Sequence, residues 1–437
     1  MINSYSRRLH SVIPGGCHTY SRGDDQFPSN APEIFSSGKG SKLYTKDGEE
    51  YLDYVMGLRS VTQGYAESSI NNSAINAINL GNNLSRASFV ELEAAELFTS
   101  LDKSFDKIKF CKNGSNATTA AIKLARSYTN KKYVIFPSQQ PFFSFDDWFI
   151  GTTKIKRGIP KEHTSLSKTF DYGVIESVSN LYDLLNDDVA AIILEPWIPK
   201  LNIDIEKYHE WNSKFLQELR DLANKKGSVL IFDEMITGFR WSFPSAASFY
   251  NIKGDLYTFG KAIANGFSVS CVTGNEDIMS KGSILKSGTE RTFLLSSTHG
   301  AEMSSLSALI QSIKNYQSHN IPGYLWKYSQ KFWNGVNDLI DKYNLNELMT
   351  ISSPSLLASI SFLNDEDSLK RTAFMYLLME KKIVAFSGCF SFSTAHDEND
   401  LQKTLEAFEY AMEYIASGKD LKRCQITKLK PVFRQFN

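Results

Sequence analysis

The chain has 437 residues, of which 42% are hydrophobic, and a chain of this size can form one large core and a smaller second domain. Lysines and arginines together number 48, as do aspartates and glutamates, so the chain has no net charge to attract nucleic acid or an anionic membrane. We therefore expect a small molecule as its partner, and neither nucleic acid nor membrane.

The five cysteines are scattered along the chain and form no close pairs. An odd, dispersed set favours reduced thiols over a disulfide framework or a zinc site, so we expect no metal. The first residues, MINSYSRRLHSVIPGG, include arginines without an apolar stretch after them, unlike a secretory signal. Apolar runs such as VAAIIL are too short to span a bilayer. These features predict a cytoplasmic protein.

The predicted elements divide the chain into three parts. Residues 1–60 contain GKGSKLYTKDGEEYLDYVMG, in which a Lys-Asp-Gly turn predicts a β-hairpin, and form an N-terminal arm and part of a small domain. Residues 61–325 form the large domain, where the strands IKFC, YVIF, AAIIL and VLIF alternate with helical stretches, as in an α/β fold with a mostly parallel sheet.

Residues 326–437 are predicted to form a smaller C-terminal α+β domain, with LASISFL and FSFSTAH as strands. A basic tail follows Gly418, and we expect it to be solvated or to lie at the edge of a dimer. Its positive residues are Lys419, Lys422, Arg423, Lys428, Lys430 and Arg434.

The stretch IKFCKNGSNATTAAIKLARSYT predicts a strand, the turn Asn113-Gly114-Ser115, and then a helix. The first turn of a helix offers free N–H groups and the positive end of the helix dipole, which together suit a phosphate. Gly114 lets the backbone approach closely, and Ser115 can donate its hydroxyl. The alternative is an ordinary helix start, because Asn and Ser are common capping residues.

The stretch SVLIFDEMITGFR places Asp233 directly after a buried strand. Open parallel sheets bind ligands at the carboxyl ends of their strands, so an acid in this position is a candidate site residue. Its carboxylate could keep a heteroaromatic nitrogen protonated, as a pyridoxal phosphate ring requires. The alternative is that Asp233 only caps the turn that follows the strand.

The stretch GDLYTFGKAIANG places one lysine, Lys261, between a glycine and small apolar residues. A lysine in a poorly hydrated pocket loses part of its preference for being charged, and a neutral amine can form a Schiff base with an aldehyde. The alternative is that Lys261 ends a strand and extends its amine into water.

These three stretches, in this order, resemble the class III (fold type I) pyridoxal-phosphate aminotransferases, and within them most closely glutamate-1-semialdehyde 2,1-aminomutase and its transaminase relatives. The resemblance extends from IPGGCHTYSR through GSKLYTKDGEEYLDYV, ILEP and SSTHG to STAHDENDL. It implies a large domain with a mostly parallel seven-stranded sheet, and a small α+β domain formed by the N-terminal arm and the C-terminal part. It also implies pyridoxal 5'-phosphate (PLP) as the cofactor.

The resemblance assigns roles to individual residues. Lys261 would form the Schiff base and Asp233 would bond the pyridine nitrogen. Residues on the phosphate and the two faces of the ring are implied to be Asn113, Gly114, Ser115, Phe142, Met235 and Ser297. Phe142 stands where relatives stack a Tyr, and Met235 where they usually have a Val. Thr298 of SSTHG would reach the phosphate of the neighbouring subunit's cofactor, which implies a homodimer.

The implied substrate-binding residues are Thr19, Arg22, Leu58, Phe143 and Glu195. Arg22 stands where the aminomutase holds its substrate's carboxylate, although it could instead pair with Asp24 or Asp25. Phe143 replaces a His found in relatives, and Glu195 could either support the site or cap the end of a strand.

Leu58 replaces an aromatic residue of the aminomutase, and Gly388 stands near the position of one of its acids; both changes weaken the aminomutase interpretation. Three functions therefore stay open. The first is a transaminase that moves an amino group from an amino acid to an aldehyde or keto acceptor, such as a sugar or carboxylate intermediate. The second is the aminomutase, which moves the amino group within one molecule. The third is an inactive PLP-binding structural protein.

Overall fold

The computed structural model describes residues 4–285, 287–365, 368–424 and 428–435. The chain divides into two compact units. The small unit consists of the described residues of Met1–Glu67, Pro199–Ile205 and Gly323–Asn437. The large unit consists of those of Ser68–Ile198 and Glu206–Pro322. The domain boundaries proposed from the sequence stay a prediction.

The strands of the described residues are short. In chain order they are β1 Ser37–Lys39, β2 Lys42–Tyr44, β3 Glu50–Asp53, β4 Lys107–Cys111, β5 Tyr133–Pro137, β6 Ser167–Phe170, β7 Val189–Leu194, β8 Val229–Asp233, β9 Leu256–Phe259, β10 Ser270–Gly274, β11 Met349–Ile351, β12 Ile360–Phe362 and β13 Ile383–Val384.

The helices lie between these strands and at both ends of the chain. They are α1 Tyr5–Val12, α2 Met56–Arg59, α3 Ser68–Asn79, α4 Phe89–Thr99, α5 Gly114–Thr129, α6 Asp147–Ile150, α7 Lys161–Thr164, α8 Ile175–Leu184, α9 Ile205–Lys226, α10 Ala246–Phe249, α11 Glu276–Met279, α12 Met303–Ser318, α13 Ile321–Lys342, α14 Leu369–Glu380 and α15 Glu398–Ala416. Short 3-10 helices are Pro14–Gly16, Tyr20–Arg22, Asp24–Gln26, Lys261–Ala264, Ser280–Gly282, Ser355–Leu357 and Leu421–Cys424.

A seven-stranded sheet forms the centre of the large unit, in the order β4-β10-β9-β8-β7-β5-β6. Strands β9, β8, β7, β5 and β6 run parallel to one another, whereas β10 runs antiparallel to both β4 and β9. Every residue of β7 and β8 is buried, as expected for a sheet covered on both faces. The prediction of a mostly parallel seven-stranded α/β fold is confirmed.

The small unit holds two small sheets, one of order β1-β2-β3-β13 and one of β11 and β12. The predicted hairpin is confirmed, because β2 and β3 pair antiparallel with Lys42 opposite Leu52. The predicted strand LASISFL is present as β12.

The prediction of a strand over FSFSTAH is wrong. Residues 390–396 form no ladder; the N–H of Ser391 donates to the Tyr54 carbonyl and that of Thr394 to the Thr62 carbonyl. The alternating apolar residues are nevertheless buried, because Phe390 and Phe392 contact the Tyr54 ring. Ser391 and Ser393 are buried as well, so the alternation in the sequence does not correspond to two differently exposed faces here.

The described part of the basic tail contacts the small unit. Arg434 forms an ion pair with Asp25, and the side-chain amide of Gln26 donates to the Lys430 carbonyl. Leu429 is buried. Residues 428–435 are thus solvated only in part, and a place for the tail at the edge of a dimer stays a prediction. Residues 425–427 and 436–437 lie outside the described residues. Among the described helices, none is both long and apolar enough to cross a membrane.

Candidate active site

The predicted site residues of the large unit follow the carboxyl ends of strands in one sheet. Asn113 follows β4, Asp233 ends β8, and Lys261 follows β9. Because β4, β8 and β9 share one direction, these ends lie at the same edge of the sheet. The loop after β5 contains Phe142 and Phe143, and Glu195 directly follows β7 at that edge.

The first turn of helix α5 is capped by the Asn113 side chain and also has N–H groups without an acceptor among the described residues. The side-chain oxygen of Asn113 accepts from the N–H of Asn116 at 3.0 Å. The N–H groups of Gly114 and Ser115 donate to no acceptor in the described part of the chain. The Ser115 hydroxyl oxygen accepts from the Phe145 N–H at 3.0 Å and keeps its own hydrogen for another partner. The two interpretations of Asn113-Gly114-Ser115, an ordinary helix cap and an anion site, are therefore compatible. The turn is capped, and its remaining N–H groups can still bind an anion.

Met235 lies against two glycines of the site. A Cβ atom added at Gly114 would lie 2.9 Å from the Met235 sulfur, and one added at Gly260 would lie 2.6 Å from it. Such distances are too short for carbon and sulfur, so both glycines are needed for the close approach. The Met235 side chain therefore fills the space between the start of α5 and the loop that carries Lys261.

Asp233 is a buried carboxylate with one oxygen bonded and one open. Its Oδ1 accepts from the Met235 N–H and from the Thr258 hydroxyl, each at 3.1 Å. No described residue donates to its Oδ2. Burial raises the pKa of Asp233 to about 6, against a smaller opposing effect of the Lys261 ammonium. The alternative that Asp233 caps the turn after β8 is therefore correct for Oδ1, which accepts from the Met235 N–H, but it leaves Oδ2 unused.

Lys261 has an unusual backbone conformation. Its φ is +50°, a left-handed value that residues other than glycine rarely adopt. Lys261 is also the first residue of the 3-10 helix Lys261–Ala264. A residue with such a φ costs about 1–2 kcal/mol of backbone free energy. Strain of this kind is often found at functional sites, because it fixes a side chain in one direction. The ammonium acts electrostatically on Asp233, so the two groups belong to one site.

The residues at this edge of the sheet fit PLP. The open N–H groups of Gly114 and Ser115 can accept a phosphate at the positive end of α5. The open Oδ2 of Asp233 can accept from a protonated ring nitrogen. Lys261 supplies an amine beside that carboxylate. The chain therefore offers one partner for each reactive part of the cofactor.

The two phenylalanines of the loop after β5 have different surroundings. Phe142 is 42% exposed, whereas Phe143 is only 2% exposed and contacts the rings of Phe136 and Phe149. Phe143 therefore has little surface to offer a substrate in this structure, and its carbonyl instead accepts from the Thr118 hydroxyl at 2.9 Å.

Glu195 is buried and has partners on both its backbone and its side chain. Its N–H and carbonyl bond the Gln140 amide at 2.9 and 2.7 Å, and its Oε2 accepts from the Trp197 indole at 3.1 Å. These bonds tie the loop after β5 to the end of β7. They favour a supporting role for Glu195 over direct contact with a ligand.

Ser297 and Thr298 are exposed on the surface of the large unit. The Thr298 carbonyl accepts from the Asn83 amide at 3.1 Å, which fixes the backbone and leaves the hydroxyl without a partner among the described residues. Large apolar side chains in the same stretch are also exposed, with Leu285 at 84% and Phe293 at 66%.

Thr19 and Arg22 lie on the surface of the small unit. Arg22 does not pair with either acid considered from the sequence: Asp24 accepts from Ser6 and His10, and Asp25 pairs with Arg434. No carboxylate of the described residues forms an ion pair with Arg22. The guanidinium is therefore available to a ligand.

Leu58 lies in α2 of the small unit, whose single turn is left-handed. The φ angles of Met56, Gly57, Leu58 and Arg59 are +45°, +59°, +58° and +67°. The buried Asp53 carboxylate stabilises this turn, since it accepts from the N–H groups of Val55 and Met56 at 2.7 and 3.0 Å and from the Tyr65 hydroxyl at 2.6 Å. The half-buried Leu58 side chain is thus fixed by a strained backbone.

Several supporting residues were not found from the sequence. Thr258 donates to Asp233, and Gln140 bonds Glu195. Glu234 is fully buried, accepts from the N–H groups of Ala246 and Ala247, and has its pKa raised to about 7 by burial. Only Glu234 had a visible signal, because it follows Asp233 directly in SVLIFDEMITGFR.

The chain matches the sequence model of one protein family, described as aminotransferase class-III, over residues 25–173 and 159–408. Two relatives are similar over nearly their whole length. Glutamate-1-semialdehyde 2,1-aminomutase 1 of Staphylococcus carnosus (strain TM300) is 29% identical, over 94% of this chain and 97% of that protein. Glutamate-1-semialdehyde 2,1-aminomutase 2 of Lachnoclostridium phytofermentans (strain ATCC 700394 / DSM 18823 / ISDg) is 30% identical, over 91% and 95%.

Solved structures share the fold. The FumI protein of Sphingopyxis sp. MTA144, in its PLP internal aldimine form, matches 94% of this chain and 96% of its own, with a TM-score of 0.85 and 22% identity. An omega-transaminase from Sphaerobacter thermophilus matches the same shares, with a TM-score of 0.81 and 20% identity. The family match covers all of the site residues named above for the large unit. The chain therefore belongs to the class-III aminotransferases.

Proposed function

We propose that this PLP-dependent enzyme moves an amino group from an amino-acid donor to an aldehyde or keto acceptor, such as a functionalised sugar or a carboxylate. The observation that carries the proposal is the position of Asp233, Lys261 and the open first turn of α5 at one edge of the sheet. Bound PLP supplies a carbonyl carbon that can hold an amine and a ring that can accept electrons.

In this proposal different residues of the chain bind the phosphate, the ring and the reactive carbon of the cofactor. Gly114 and Ser115 hold the phosphate with their N–H groups. The Lys261 amine would hold the cofactor and, once an amino donor has taken its place, would be the base that takes a proton from the donor's reacting carbon. The Asp233 carboxylate keeps the ring nitrogen protonated, and a positive ring beside it opposes the effect of burial on its pKa. Phe142 and Met235 would contact the two faces of the ring.

Arg22 is proposed to bind a substrate carboxylate through two parallel hydrogen bonds, with Thr19 beside it. The lack of an ion-pair partner for Arg22 among the described residues supports this role. Phe143 would make the core next to Phe142 less polar than a His would, and Glu195 supports the site through its contact with Trp197.

The second candidate is glutamate-1-semialdehyde 2,1-aminomutase, and the names of the similar relatives favour it. Two residues favour the transaminase instead. Leu58 stands in place of an aromatic residue, and Gly388 has a φ of +83° with the Ile360 carbonyl oxygen 2.7 Å from an added Cβ. This backbone leaves no room for an acidic side chain at Gly388.

We also propose a homodimer in which Thr298 binds the phosphate of the partner's cofactor, with Ser297 beside it. The exposed Leu285 and Phe293 support an interface in this stretch, because large exposed apolar side chains often mark one. The cytoplasmic location stays a prediction.

One experiment separates the candidates. The purified holoenzyme is given glutamate-1-semialdehyde alone, and separately a series of amino acids with aldehydes, keto acids and keto sugars. We expect amino transfer between two molecules to be faster than isomerisation. Efficient conversion of the semialdehyde to 5-aminolevulinate without an acceptor would establish the aminomutase, and no reaction with any pair would support the inactive structural protein.

A further inference from the structure

Thr258 is the one side chain among the described residues that donates a hydrogen bond to Asp233. We infer that Thr258 is a positioning residue for the proposed amino transfer: its hydroxyl fixes the Asp233 carboxylate so that Oδ2 is left for the ring nitrogen of the cofactor. The inference rests on the function proposed above and adds a residue to it.

The register of two strands brings Thr258 to Asp233. Strands β8 and β9 are parallel neighbours, and Asp233 lies opposite Thr258 in the ladder. Thr258 is fully buried, and its hydroxyl has Asp233 Oδ1 as its acceptor at 3.1 Å. A β-branched side chain in a strand has few rotamers, so the hydroxyl direction is fixed with the backbone. The Met235 N–H donates to the same Oδ1 at the same distance and is a second fixed contact of the carboxylate.

The Thr258 hydroxyl also affects whether Asp233 stays ionised beside the ring nitrogen of the cofactor or takes up a proton itself. Burial favours the neutral acid, while the hydrogen bonds from Thr258 and Met235 and the charge of Lys261 favour the carboxylate. The neighbouring acid Glu234 is also buried, and the charge of Asp233 adds to burial in raising the pKa of Glu234. Without the Thr258 hydroxyl, the balance moves toward a protonated Asp233, which can no longer keep the ring nitrogen positive.

A simpler explanation is that the hydrogen bond to Asp233 only gives the buried Thr258 hydroxyl an acceptor. Thr273 provides a matched control for this explanation. It lies on the neighbouring strand β10, is also fully buried, and donates its hydroxyl to the Lys107 carbonyl at 2.8 Å. Thr258→Val and Thr273→Val therefore remove the same atoms from the same sheet, but only the first removes a donor to Asp233.

The experiment compares Thr258→Val, Thr258→Ser and Thr273→Val as holoenzymes. The pH dependence of the visible absorption of bound PLP is recorded first, and then kcat and KM with an amino donor. We expect Thr258→Val to shift the pH dependence of the absorption and to lower kcat about tenfold or more, as loss of a hydrogen bond to a charged group implies, with KM for the donor unchanged. Thr258→Ser should restore both, and Thr273→Val should change neither.

Several results would overturn the inference. One is Thr258→Val with wild-type absorption and kcat, and another is Thr273→Val with the same losses. If Thr258→Val does not fold, Thr258→Ala replaces it with the same expected shift and loss. The absorption measurement does not depend on turnover, so it tests Thr258 even if no substrate pair reacts. Failure of the wild type with all substrates would contradict the proposed function instead.

Discussion

Replacing Asp233 by Asn should stabilise the cofactor-free protein while impairing the enzyme. Burial raises the pKa of Asp233 from its ordinary 3.8 to about 6, which corresponds to about 3 kcal/mol. Below about pH 4 the carboxyl is protonated in both the folded and the unfolded chain. As the pH rises from about 4 toward 6, the unfolded chain ionises first, while the folded protein keeps the proton on its buried carboxyl. The free energy of unfolding therefore falls over this range, and above pH 6 the folded protein carries the carboxylate in a buried site. Asparagine keeps the Oδ1 acceptor and never ionises.

Urea unfolding of the cofactor-free proteins measures the difference. We expect Asp233→Asn to approach the wild type near pH 4 and to exceed it by up to about 3 kcal/mol above pH 6, reduced by the cost of an unpaired amide. Asp183→Asn, which removes an exposed carboxylate of α8, serves as the control for the same chemical change at the surface. A wild type that is more stable than Asp233→Asn at pH 7.5 would refute the reasoning. The same variant should bind PLP weakly and turn over slowly, because it lacks the charge that holds the ring nitrogen protonated.

Three further changes test other parts of the site. Arg22→Leu should cost about 2 kcal/mol of interaction with carboxylate-bearing substrates and much less with amines that lack a carboxylate, measured as the ratio of kcat/KM values; equal losses would exclude a carboxylate contact. Mixed dimers of Lys261→Ala and Thr298→Ala chains should regain part of the activity that each parent lacks, and a monomer at working concentration would contradict the contact in trans. Tyr65→Phe should lower the free energy of unfolding by about 1–3 kcal/mol, since it removes a donor from the buried Asp53.

The sequence was sufficient for the large-unit fold and for the order of the reactive residues. Buried strands such as β7 and β8 are continuous apolar runs, and such runs are visible without a structure. Asp233 is the last residue of β8, and Lys261 follows β9 after Gly260. Their position at one edge of the sheet then follows from the shared direction of the strands.

The supporting contacts depend on pairing between strands that no local pattern reveals. Thr258 is a common residue for a strand, and only the register of β8 and β9 makes it a partner of Asp233. The left-handed turn around Leu58 was missed because three of its four residues are not glycine and give no signal for such a conformation. FSFSTAH has the alternation of a strand, but only the N–H groups of Ser391 and Thr394 donate to carbonyls of other described segments, and those of Ser393, Ala395 and His396 donate within the segment.

The central claim is that Lys261 holds the cofactor covalently. Borohydride reduction of the holoenzyme makes the bond between PLP and its lysine permanent, and peptide mapping then identifies the residue. We expect one labelled peptide, containing Lys261, and no label in Lys261→Ala chains treated in the same way. Label on any other lysine of the wild type, or a Lys261→Ala chain that is still labelled after reduction, would contradict the assignment.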